Sequence, residues 1–230
     1  MLILLPPSEG KQSGGTVHWY PSSGHFGVQL QEPRGIINAL LTDDRVPLPV
    51  GARRTIPFSL PAFQRYNGVV WKHLDPSSFS DETRDRARLS VVAVSAVGGL
   101  FAYDDPVPEY KLKVGASFQG TGSVSKIWLP FLGKVIQTEL QRSDHEGHRY
   151  VIDLLALEQS AAITRPAGLP WHRVELFGPN GERSGHNGKA AKGRLARSLL
   201  EIDDPEQLLV DLLKGRLSKD LDGWIPRLSA

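Results

Sequence analysis

Met1 to Leu5 are five consecutive apolar residues that stop at Pro6-Pro7 and pass into Ser8-Glu9-Gly10-Lys11. An apolar run this short, without polar alternation, fits a strand buried on both faces. The two prolines lack the N–H that a ladder needs, so the strand ends at Leu5 and hands the next residues to a loop. A chain that opens this way must supply elements to cover both faces of that strand.

The same start does not read as a secretory signal, since no Lys or Arg precedes the run and the run is short. Charges, Pro or Gly break every later apolar stretch before the 18 or so residues that a membrane span requires. With no cysteine, disulfide and thiolate chemistry are excluded, and a soluble cytoplasmic protein is expected. The 230 residues, 40% of them hydrophobic, suffice for one sizeable core, and a single domain over 1–230 is expected. Net charge is only +2, from 27 basic and 25 acidic residues, so the overall field does not announce a nucleic-acid binder. Positive charge is instead local: GHNGKAAKGRLAR holds Lys189, Lys192, Arg194 and Arg197 with no acid among them.

Further along, GKQSGGTVHWYPSSGHFG is rich in Gly and Ser and reads as a mobile surface loop or as a lid over a ligand. PRGIINALL reads as a helix with Pro33 in its first turn. Ser80 caps a helix with Asp81 and Glu82 in its first turn and Arg86 and Arg88 near its end, matching the macrodipole at both ends. Leu89 to Val94 follow as a buried strand, and Ser95 to Gly99 leave it through small residues that admit a backbone or ligand. SVSKIWLPFLGKVIQTELQR is helical around Pro130, YVIDLLAL is another strand, and WHRVELFGPNGERSGHN is a hairpin turning at Asn180-Gly181. DDPEQLLVDLLKG has Asp204 as N-cap, Pro205 at N1 and Gly215 past its end. The elements alternate without an even period or internal repeat, which predicts a mixed α/β (α+β) domain with a central mixed sheet flanked by helices.

A helix begun near Gly188 puts Ala191, Leu195 and Leu199 on one face with Lys192 at its shoulder, while Arg194 and Arg197 face away. Lys189 then sits in the first turn, where the macrodipole disfavours a cation unless an anion is also present. Two readings remain: an anion site, or a solvated basic face whose stems cover apolar surface. Neither Gly10-Lys11 nor Gly188-Lys189 is a phosphate-binding P-loop, since Gln12 and Ala190 stand where Ser or Thr is required. Asp144, His145, Glu146 and His148 crowd a polar turn and lack a distant third ligand, so no metal is expected. Ser184 near His186 lacks a nucleophile elbow. PEYKLKVG alternates Tyr110, Leu112 and Val114 against Lys111 and Lys113, a half-buried strand whose polar side can line a cleft.

MLILLPPSEGK, YNGVVWKHLD, SAVGGLFAYDDPVPEYKLKVG and HNGKAAKGRLARSLLE together resemble the successive signature blocks of the YaaA family of peroxide-stress proteins, in order over nearly the whole chain. The resemblance implies a single α/β domain with a basic cleft, DNA binding, and a role in limiting oxidative DNA damage and intracellular iron under hydrogen peroxide. By the match of motifs, Lys189, Lys192 and Gly193 fall on the family's basic block and Tyr66 and Gly68 on its Tyr-x-Gly block. Tyr110, Lys111 and Gly115 fall where a Tyr-Arg pair is usual, and Ser8 and Lys11 on a Ser/Pro/Lys loop. The chain departs from the family at Gly98, where an aromatic residue is usual, and at Ala102-Tyr103, in place of Arg-Pro. Ala156 and Gln159 stand for a Ser and a Tyr. No Gly-hydrophobic-Gly hairpin of the helix-hairpin-helix type is found.

Two functions follow as expectations. In the first, Ser8, Lys11, Lys111, Lys189, Lys192 and Arg194 contact DNA phosphates while Tyr66 or Tyr110 stacks on an unpaired base. In the second, the same cleft holds a small anionic or nucleotide-like substrate, with Glu9 or Lys11 as the catalytic proton-transfer group. Either way Lys11, Tyr110, Lys189 and Lys192 are expected to converge on one cavity. No cofactor is expected and no partner protein can be identified.

Overall fold

In a computed structural model of the chain, Leu2–Leu5 form strand β1, buried along its whole length. The structure describes residues 1–142, 150–178, 180–182, 188–202, 207, 210–212, 214, 221 and 223–229. After β1 come β2 (Val17–His18), α1 (Gly27–Thr42), β3 (Arg53–Pro61), α2 (Ala62–Arg65), α3 (Val69–Leu74), a 3-10 turn at Pro76–Ser78, and α4 (Asp81–Ser90). β4 (Val91–Ser95), β5 (Gly99–Ala102), β6 (Pro106–Lys111), β7 (Ser117–Phe118) and β8 (Gly122–Ser123) follow. The remainder comprises α5 (Val124–Trp128), α6 (Leu132–Arg142), β9 (Val151–Asp153), α7 (Leu157–Ser160), β10 (Trp171–Phe177), α8 (Gly188–Glu201) and β11 (Ile225–Ser229).

The main sheet runs β11-β10-β9-β1-β4-β5. β1 lies parallel to both β4 and β9, and β9 lies parallel to β10, while β5 and β11 close the edges antiparallel. β1, β4 and β9 are buried at every residue, as parallel strands covered on both faces must be. The mixed α/β class read from the chain is therefore observed. A second antiparallel sheet, β2-β3-β6, packs beside it, and β7 and β8 form a small hairpin. No helix among the described residues is long and apolar enough to cross a membrane.

Several local expectations hold for their stated reasons. Ser80 caps α4 by accepting the Thr83 N–H at 3.1 Å, and the helix carries Asp81 and Glu82 in its first turn. Pro130 separates α5 from α6. α8 begins at Gly188 and buries Ala191, Leu195 and Leu199. Gly193 lets that face close on α3, since a methyl there would run into the Val70 carbonyl oxygen.

Others are corrected. α1 starts six residues before Pro33, which therefore sits inside the helix rather than in its first turn. Leu89 and Ser90 remain in α4, so β4 begins at Val91, and Leu89 is exposed. β9 stops at Asp153, because Leu155 N–H turns back to that carboxylate at 2.9 Å. Arg197 does not face away: its guanidinium reaches Ser78 Oγ at 2.6 Å and packs 5.4 Å from the Phe79 ring centroid. The Gly/Ser-rich segment runs over the surface as expected, but it is anchored at Trp19 and Phe26, which are buried in the core. Arg34, fully buried, donates to Pro21 O at 3.2 Å, Ser23 O at 2.6 Å, Gly98 O at 2.9 Å and Leu100 O at 2.7 Å, fastening that segment to β5. At Asn180-Gly181 the chain turns as expected, with Gly181 at φ +80 and Gly178 N–H donating to Glu182 O at 2.8 Å. The hairpin's return arm, Asp204 and Pro205 with the start of their helix, and Gly215 lie outside the described residues.

Candidate functional site

The carboxyl ends of β1, β4 and β9 come out along one edge of the sheet, side by side. The chain leaves β1 toward β4 on one flank and later leaves β9 toward β10 on the other. The crevice between β1 and β9 is therefore a topological switch point, the place where open α/β sheets present ligand sites. A cleft of about 890 Å3 opens there. Ser8, Glu9 and Lys11 line it from the segment after β1, Glu158 and Gln159 from α7 beyond β9, and Tyr110 to Ser117 from the end of β6. The turn Pro47–Ala52 makes the remaining wall.

Local chemistry fixes the β1 segment. Pro6 O accepts Trp71 Nε1–H at 3.0 Å, and Ser8, buried, donates through Oγ to Gly10 O. Gly68 has no Cβ to strike Ser8 Cβ, so the segment can lie directly against the start of α3. Lys11 bridges to Tyr66 in antiparallel fashion, and its Nζ donates to Ser8 O at 2.8 Å. That ammonium lies 3.9 Å from the Tyr110 ring centroid and 5.9 Å from that of Tyr66. Burial, with Arg65 nearby, pulls the Lys11 amine down to about 8, against the opposing pull of Glu9 and Glu109. Its cationic form is thus held by ring faces and one carbonyl, and it changes charge near neutrality.

Beneath the lysine runs a chain of hydroxyls. Tyr66 and Tyr110 oxygens are 3.3 Å apart, Tyr110 oxygen is 2.8 Å from Ser95 Oγ, and Ser95 Oγ accepts the Val97 N–H at 3.2 Å. Burial raises the pKa of both phenols, so both stay protonated and hydrogen-bonded. Both rings are buried, and Lys11 covers a face of Tyr110, so the stacking expected of them is replaced by a supporting role under the amine.

The other expected residues divide. Lys111 is exposed and lines the cleft. Glu9 lines it too, its carboxylate 3.5 Å from Lys113 Nζ with both side chains largely exposed. Three lysines and two glutamates, Lys11, Lys111, Lys113, Glu9 and Glu158, give the lining a mixed charge. Lys192 does not open into the cleft. It donates to Leu154 O at 2.8 Å and Leu155 O at 3.0 Å, pinning the stretch that leads from β9 to α7, and burial lowers its pKa to about 8. Lys189 is exposed on α8 and Arg194 half-buried, and neither lines the cleft. The expected convergence therefore holds for Lys11 and Tyr110 but not for Lys189 and Lys192. Asp144, His145, Glu146, His148, Ser184 and His186 lie outside the described residues.

Sequence reasoning missed Arg65. Fully buried, it donates to Gln12 O, to Gly14 O and Phe58 O at 2.8 Å each, and to Val107 O at 3.1 Å, which ties the segment just after Lys11 to β3 and β6 of the second sheet. The one signal for it was an Arg ending AFQR, a stretch too short to read. At the departures from the family pattern, Phe101 fills the space a side chain at Gly98 would need. Tyr103 is buried and stacked on Phe63 at 4.7 Å. Gln159 lines the cleft, and its buried Oε1 has no hydrogen-bond partner among the described residues, whereas Ala156 is exposed.

Residues 42–210 match the family model described as peroxide stress protein YaaA. The chain belongs to that family. It is also similar to a UPF0246 protein of Streptomyces coelicolor, 27% identical over 222 residues that cover 87% of this chain and 83% of that protein. A UPF0246 protein of Corynebacterium efficiens is 28% identical over 86% of this chain and 84% of its own length. One from a Ruegeria species is 28% identical over 65% and 60% respectively. The matched region includes the cleft apart from the β1 segment, with Tyr66 and Ser95 beneath it and Lys189 and Lys192 outside it.

Proposed function

We propose that this YaaA-family chain is a cytoplasmic peroxide-stress protein that binds DNA at the switch-point cleft, and so limits oxidative DNA damage. The observation that carries the reading is the placement of Lys11 and Lys111 on the cleft, two cations available to phosphate oxygens, with Ser8 O holding the Lys11 ammonium in place. Lys189, exposed on α8, adds an outer phosphate contact, while Lys192 shapes the cleft by fixing Leu154 and Leu155. Contacts of this kind read charge rather than sequence and weaken steeply as salt displaces them. A part in limiting intracellular iron is supported by family membership alone.

One observation favours a second reading, an enzyme acting on a small anionic or nucleotide-like substrate. A cleft of about 890 Å3 is of small-molecule size, and Lys11, at about 8, can pass a proton near neutrality. A labelled duplex titrated in a gel shift, alongside a thermal-shift screen of nucleotides, separates the two. Retarded duplex of any sequence at low salt supports the first. Free duplex together with stabilisation by a nucleotide supports the second.

A further inference from the structure

The turn Pro47–Ala52 stands at the rim of the cleft with Val50 at its tip, fully exposed to solvent. Pro47 and Pro49 fix φ on either side of Leu48, Gly51 takes φ +77, and Ala52 N–H donates to Pro49 O at 2.9 Å. Leu48 and Ala52 pack against the core, and Arg54 holds Val46 O at 3.0 Å. The result is a stiff turn that carries a branched apolar side chain outward. A single exposed valine is ordinary on a protein surface. What sets this one apart is the charge beside it.

Arg53, three residues on, is paired directly opposite Lys111 in the β3–β6 ladder. Cross-strand neighbours of like charge repel. Both side chains are exposed, and among the described residues neither makes an ion pair, whereas Lys113 is matched by Glu9. An anion laid across Arg53 and Lys111 relieves that repulsion. Three residues of chain reach at most about 11 Å, which sets the tip within about three base steps of the cation pair.

We propose that Val50 is an apolar wedge that enters between base pairs of a DNA duplex while Arg53 and Lys111 grip the adjoining phosphates. The inference rests on the DNA-binding reading and names the residues by which that binding distorts the duplex. Apolar wedges of this kind unstack a step and bend the duplex toward more contact with the protein.

The experiment uses the full chain and a duplex carrying 2-aminopurine, whose fluorescence is quenched by stacking and rises when a step opens. Binding of the unaltered chain raises the fluorescence. Val50→Ser weakens binding and abolishes the rise, with the salt slope unchanged because no charge is altered. Arg53→Ala keeps the rise and reduces the salt slope by about 1. Binding without a rise, or a rise that survives Val50→Ser, overturns the wedge and leaves the DNA-binding reading standing. No binding at any salt concentration overturns both.

Discussion

Lys11 Nζ lies 3.9 Å from the centroid of the Tyr110 ring and donates to Ser8 O at 2.8 Å. The pair ties the segment after β1 to the end of β6, two elements that belong to different sheets. It also leaves the lysine partly desolvated, which makes its charge depend on pH.

The amine is held down at about 8, from an ordinary value of 10.5, chiefly by burial. Below about 8 the lysine is charged, and as pH rises through that value it becomes neutral in the folded chain first. Affinity for a phosphate-bearing ligand should fall across this range, and Lys11→Met should flatten the profile. Because the unfolded chain keeps its proton to higher pH, stability attributable to Lys11 rises between about 8 and 10.5. Denaturant melts of wild type and Lys11→Met should show their difference moving in favour of wild type over that window. A difference that stays constant contradicts the shift.

Arg65→Met should be the most damaging single change near the site. It leaves the carbonyls of Gln12, Gly14, Phe58 and Val107 without their buried donor, at a cost of about 1–3 kcal/mol for each one that stays dry. A urea midpoint close to wild type would show that Arg65 does not hold the segment. Trypsin should also cut faster after Lys11 in this variant, since the segment is freed.

Ser95→Ala removes the acceptor that joins the Tyr110 hydroxyl to the Val97 N–H. The expected loss is about 1–3 kcal/mol in a thermal or denaturant melt, with the fold retained. Unchanged stability would mean that the tyrosine pair finds another partner.

Gly193→Ala pushes a methyl into the Val70 carbonyl and should separate α8 from α3, costing about 1–3 kcal/mol as overpacking does. Full stability in a urea melt would show that the two helices can slide apart freely.

The strands at the centre were legible because burial on both faces leaves an unbroken apolar run, as at Leu2–Leu5, and α4 because Ser80 and its flanking charges obey capping and dipole rules. The start of α1 was not, since Pro33 looks like a first-turn residue and the chain before it is short of apolar spacing. Within the site, the alternation around Tyr110 showed which side of that stretch is polar. It could not show that Lys11 would lie over the ring, because that contact joins residues far apart in sequence. Arg34 and Arg65 were illegible for a related reason: a buried arginine is recognised by the carbonyls around it, and those come from distant segments. Lys192 was placed correctly at the shoulder of its helix, but its partners are carbonyls of Leu154 and Leu155 rather than an anion.

The most direct test of the account is the salt dependence of duplex binding by the unaltered chain and by Lys11→Ala combined with Lys111→Ala, followed by fluorescence anisotropy. The account predicts tight, sequence-independent binding at low salt and, in the double variant, weaker binding with the salt slope reduced by about 2. Equal affinity and an equal slope in the two proteins would contradict it.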